Sequence, residues 1–85
     1  MTVITLTTDF GTRDPFAGIM KGVIAGRAPA ATVIDVTHGV PPRDVLAGAL
    51  VLRHAVPYFP AGTIHVAVVD PGVGRPRRPL CVETA

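Results

Sequence analysis

Two aspartates stand where strand-like runs end. Thr2 to Thr8 carries Val3, Ile4 and Leu6 among threonines and gives way to Asp9-Phe10-Gly11, while Thr63 to Val69 gives way to Asp70-Pro71-Gly72-Val73-Gly74. Open parallel sheets bind ligands outside the carboxyl ends of their strands, so both acids fall where a site would form. A carboxylate beside a glycine turn can accept two hydrogen bonds from a ribose diol, the use acids have in nucleotide sites. It can equally fold back as an Asx turn, and spacing leaves both roles open for Asp9. The second segment runs on through Arg75-Pro76-Arg77-Arg78, placing an acid, two glycines and three arginines in one loop. Its glycines let backbone approach a ligand closely. The alternative is that Asp70 pairs with Arg77 or Arg78 only to order the turn, an interaction worth about 0–1 kcal/mol at a surface. The loop lacks the Gly-Lys-Ser/Thr ending of a phosphate-binding P-loop, and it carries no dinucleotide fingerprint.

The remaining chemistry-bearing residues are few. His38, His54 and His65 have no zinc-helix spacing to one another or to an acid, so no metal site is expected. His54 belongs on the solvent side of a helix, and His65, inside an apolar run, reads as a hydrogen-bonded core residue. His38 lies in the loop after a second strand, on the same sheet edge as Asp9 and Asp70, where a loop hydrogen bond is its simplest use. Cys81 is the only cysteine, which excludes an internal disulfide and leaves it as a small apolar filler. Arg13, Lys21, Arg27, Arg43 and Arg53 are scattered, Tyr58 is the single tyrosine and there is no tryptophan. The net charge of +2 therefore has neither the clustering nor the stacking aromatics that nucleic-acid binding needs.

Positioning these groups falls to a short series of elements. With 85 residues, 48% of them hydrophobic and 16% charged, the chain is core-forming but can make one small domain at most. No apolar run approaches the roughly 18–20 residues of a membrane span, and Met1 to Asp9 lacks the basic region of a signal peptide, so the chain reads as cytoplasmic. After the first strand, Asp14-Pro15 predicts a capped helix start, with Phe16, Ile19, Met20, Val23 and Ile24 on one apolar face and a stop at Gly26 to Pro29. Val33, Ile34 and Val36 give a second strand with the apolar character of a buried parallel strand. From Arg43, the residues Asp44, Val45, Leu46, Ala49, Leu50, Leu52 and Val56 predict a second helix, with Asp44 at the positive end of its dipole and Pro57 and Pro60 closing it. A third strand fills Thr63 to Val69, and a fourth begins near Leu80. The order β-α-β-α-β-β is that of an α/β fold, a mostly parallel sheet with crossover helices. Because the fourth strand has no covering helix before Ala85, residues 1–85 read as a fragment of a longer α/β protein.

Taken in order, these segments resemble one family. Thr7-Thr8-Asp9-Phe10-Gly11-Thr12-Arg13-Asp14-Pro15-Phe16 with Gly18-Ile19-Met20-Lys21-Gly22-Val23 comes first, then Ile34-Asp35-Val36-Thr37-His38 with Pro41-Pro42, Asp44-Val45 and Gly48-Ala49. Tyr58-Phe59-Pro60, Gly62 to Val69 and the Asp70 loop follow. Together they are similar to the S-adenosylmethionine (SAM) hydrolases, or SAM hydroxide adenosyltransferases, to which the SAM-dependent fluorinating and chlorinating enzymes are related.

The resemblance implies a fold, a reaction and a set of residues. Water or hydroxide would displace methionine from the ribose C5′ of SAM, giving adenosine and methionine, with SAM as substrate and no metal or cofactor. Asp70 and Arg77 match an acid and an arginine that act with a histidine, expected beyond Ala85, around the attacking water. An acid at the Asp70 position would repel an incoming halide, which favours hydrolase over halogenase. Asp9 matches the residue that holds the ribose hydroxyls, Asp14 a contact to the methionine part, and Arg43 a pocket-lining position. Family members carry a second, barrel-like carboxyl-terminal domain, absent here, and form homotrimers with sites between subunits. The reaction is therefore expected only of a complete chain. The alternative is a non-catalytic remnant or nucleoside-binding module of the same fold.

Overall fold

The computed structural model describes residues 2–69. Strand β1 (Val3–Thr8) is followed by helix α1 (Phe16–Arg27), strand β2 (Thr32–Thr37), helix α2 (Val45–Ala55), a 3₁₀ turn (Val56–Tyr58) and strand β3 (Ile64–Val68). All three strands are parallel and their order is β2-β1-β3. The α/β class and the crossover pattern thus match the sequence expectation. The expected fourth strand, with Cys81 and the Asp70 loop, lies outside the described residues.

The first strand is the centre of the sheet and of the core. Residues 4–8 are all buried, and full burial of Leu6 stabilises the fold by about 1.5–3 kcal/mol. Thr5, Thr7 and Thr8 are buried beside it, so this core is polar for half its length. Two of those hydroxyls meet histidines. Thr5 Oγ1 lies 2.7 Å from Nδ1 of His65, its register neighbour on β3, and the His65 ring stands edge-on to Phe59 at 5.7 Å. His65 is therefore hydrogen-bonded as its strand position predicts but half-buried rather than in the core, whereas His54 on α2 is exposed.

Three expectations need correction. Strand β2 is an edge among the described residues, with Ile34 still 38% exposed, because β3 pairs on the other side of β1 rather than beyond β2. Helix α1 begins at Phe16 with Pro15 in the N-cap slot and no side-chain cap, so Asp14 sits one residue too early to cap it. Its apolar arc is also wider than the strip the sheet covers. Met20 and Ile24 are partly covered, but Phe16, Ile19 and Val23 remain over half exposed. Helix α2 does start as predicted: Asp44 Oδ1 accepts from the Ala47 N–H at 2.9 Å, an N-cap worth about 1 kcal/mol. It closes on the end of β3 at Gly48, where a Cβ would stand 2.9 Å from Val69 Cγ2, so only glycine allows this approach.

Candidate functional site

The strand order defines where a ligand can enter. The crossover from β1 to β2 leads one way from the centre and that from β2 leads back past it to β3, so right-handed connections send α1 and α2 to opposite faces. Between β1 and β3 the direction reverses, and such a reversal opens a crevice at the carboxyl ends of the strands. Asp9 stands there. Its N–H donates to Val68 O at 3.3 Å, tying the end of β1 to the end of β3.

The carboxylate of Asp9 is half-engaged. Oδ2 accepts from the Arg43 backbone N–H at 2.9 Å, while Oδ1 has no hydrogen bond among the described residues. One oxygen is thus fixed and the other is open among the described residues. Gly11, at φ +71°, turns the chain away directly after Phe10. Phe10 packs on Phe16 with ring centres 5.9 Å apart, which braces the turn against the start of α1.

Arg43 enters this site through its backbone. It has φ +63°, a left-handed conformation that costs a side-chain-bearing residue roughly 1–2 kcal/mol. That conformation accompanies the N–H bond to Asp9, and the exposed guanidinium makes no hydrogen bond or ion pair with the described residues. Arg43→Gly, which keeps the N–H and relieves the strain, is expected to leave stability within about 1 kcal/mol of wild type. Arg43→Pro removes the donor and cannot adopt this φ, so it is expected to lose about 3 kcal/mol or more. Chemical denaturation of the two variants checks this, and a glycine variant as unstable as the proline one would refute it.

A second group of side chains meets behind Asp9, and nothing in their spacing along the chain connects them. His38 Nδ1 is 2.6 Å from Thr8 Oγ1, His38 Nε2 is 2.9 Å from Asp35 Oδ1, and Lys21 Nζ on α1 donates to Asp35 Oδ2 at 2.5 Å. Lys21, followed by His38, holds the Asp35 carboxyl below its ordinary value of 3.8, against the opposing effect of desolvation. With Asp35 ionised, the neutral imidazole that fits these contacts has Nε2–H donating to Asp35 and Nδ1 accepting from the Thr8 hydroxyl. The Thr8 oxygen in turn accepts from the Phe10 N–H at 3.2 Å. The only signal for this chain of contacts in the sequence is that Lys21, Asp35 and His38 all fall within the segments carrying the family resemblance.

Of the other expected site residues, Asp14 is exposed and makes no hydrogen bond or ion pair with the described residues, so its carboxylate is available. Asp70 and Arg77 lie outside the described residues. Among the described residues no group of three or more His, Cys, Asp or Glu is placed to hold a metal ion, and no helix is long and apolar enough to cross a membrane.

A parallel sheet of order 2-1-3 with an acid at its reversal point is the pattern of an open α/β protein, a class whose ligand sites form at strand ends. More particularly, residues 4–85 match the SAM hydroxide adenosyltransferase N-terminal domain, and the chain belongs to that family. It is 57% identical over 79 residues to the (R)-S-adenosyl-L-methionine hydrolase of Salinispora arenicola, covering 93% of this chain and 30% of that protein. A fluorinase from an Actinoplanes species is 30% identical over 94% of this chain and 27% of its own length. The crystal structure of a conserved hypothetical protein from Thermus thermophilus superposes with a TM-score of 0.84 at 44% identity, covering 92% of this chain and 33% of that one. The chain thus spans about a third or less of the relatives it matches.

Proposed function

We propose that these residues form the amino-terminal part of an enzyme that hydrolyses SAM to adenosine and methionine, with a barrel-like second domain completing the protein and trimers completing its sites. The observation that carries this is the Asp9 carboxylate, which stands at the reversal point of the sheet with one oxygen fixed by Arg43 N–H and the other open. In this reading Asp9 accepts from the ribose hydroxyls, Asp14 meets the methionine end, and the turn carrying Arg43 borders the pocket.

The reaction itself needs little covalent help. Water attacks C5′ as the C5′–S bond breaks, the sulfonium electrons return to sulfur, methionine leaves as a neutral thioether, and the water proton passes to solvent. Because the leaving group is already activated, alignment of water with C5′ and exclusion of bulk solvent supply most of the acceleration. Asp70 accepts a hydrogen bond from that water and Arg77 keeps the carboxylate ionised.

Product analysis of the complete chain with SAM and excess chloride or fluoride tests the reading. Adenosine and methionine in equal amounts are expected. Binding without turnover would leave a nucleoside-binding module, and halogenated adenosine would replace the hydrolase by a halogenase.

A further inference from the structure

We propose that His38 is a positioning residue for Asp9, held in place by Asp35 and Lys21; this rests on Asp9 being the ribose-binding acid. His38 grips the Asp9 turn at both ends. Its ring meets Thr8 Oγ1 on one side of Asp9 at 2.6 Å, and its backbone carbonyl accepts from the Gly11 N–H at 2.7 Å on the other. The next N–H but one, Val40, donates to Thr8 O at 3.2 Å, so the loop after β2 is stitched to the end of β1 along its length.

The ring's direction is set from outside the site. An imidazole held only at Nδ1 can swing about that contact, but Nε2 is fixed by Asp35, whose other oxygen is taken by Lys21 from α1. The ring nitrogens, both Asp35 oxygens and the Thr8 hydroxyl thus each have a partner, which fixes the tautomer as well as the orientation. The Thr8 oxygen then accepts from Phe10 N–H, bridging across Asp9 itself, and this bridge aims the carboxylate at the crevice. Lys21 and Asp35 are the exposed end of the chain of contacts, while the His38 side chain is only 10% exposed, so the largest effect belongs to His38.

A double-mutant cycle on the complete chain tests this, with adenosine as the probe and calorimetric titration as the measurement. His38→Ala is expected to weaken adenosine about tenfold and Asp35→Ala about threefold, the size of one or a fraction of one hydrogen bond. His38→Asn, whose amide can place a polar atom at the Nδ1 position, is expected to stay within about threefold of wild type. In an Asp9→Ala background the His38 and Asp35 substitutions are expected to cost nothing further, because the group they aim is gone. Equal losses in both backgrounds would make His38 merely structural and overturn the proposal. So would wild-type affinity in His38→Ala when Asp9→Ala itself binds weakly. An Asp9→Ala protein that binds adenosine like wild type would instead remove the ribose assignment, and the positioning role with it.

Discussion

Removing the Asp70 carboxylate from the complete enzyme is expected to slow adenosine release from SAM by about 10²–10⁴-fold while SAM affinity stays within about threefold. The asymmetry follows from what the acid touches. In the proposed reaction Asp70 contacts the attacking water and not the nucleoside, so its interaction strengthens as the water oxygen bonds to C5′ and contributes little to ground-state binding. Asp70→Asn keeps the shape and loses the charge, so it tests whether an ionised acceptor is needed rather than a filled volume. Arg77→Ala is expected to fall between the two, since it alters the charge state of Asp70 without removing it. Single-turnover rates and SAM titration on each variant separate the two quantities. Undiminished adenosine production by Asp70→Ala would rule out the mechanism, and equal losses in rate and affinity would move Asp70 from the water to the substrate.

Replacing Asp9 by alanine is expected to weaken adenosine binding by about a hundredfold or more. Two charge-assisted hydrogen bonds from a ribose diol are each worth about 1.5–3 kcal/mol, and one of them lands on an oxygen with no other partner among the described residues. Alanine also strands the Arg43 N–H, whose left-handed backbone then loses the partner it faces. Asp9→Asn keeps one acceptor and should recover part of the loss. Titration with adenosine and with 2′-deoxyadenosine reads the effect. Wild type should discriminate between the two ligands and Asp9→Ala should not, and a variant that retains the discrimination would place the ribose contact elsewhere.

Both expectations start from residues visible in the sequence, and the reason is local. A β-branched run that ends in an acid and a glycine marks the end of a strand wherever that strand lies in a sheet, so Asp9 stands out without knowledge of its neighbours. The elements are equally local: Asp44 caps α2 because capping needs only the next turn of its own helix. The departures are also specific. Asp14-Pro15 suggests a cap but the helix starts one residue later, where neighbouring turn geometry, not propensity, decides. The apolar arc of α1 reads as one inward face, but how much of a face is covered depends on what lies beside it, and Phe16, Ile19 and Val23 are left uncovered.

The α/β class, the order of the described elements, the acid that ends β1 and the family resemblance are all legible along the chain, because each is carried by contiguous residues with a local period or motif. That β3 pairs with β1 and leaves β2 at the edge emerges only on folding, since hydrophobic runs specify burial but not neighbours. This pairing puts Asp9 between the ends of β1 and β3. The same holds for Arg43, which the family resemblance puts at a pocket-lining position and which binds Asp9 by its backbone N–H across 34 positions. It holds also for His38, whose partners come from β1, β2 and, through Asp35, α1. A hydrogen bond is set by distance and direction, and those are fixed only when the chain has folded back on itself.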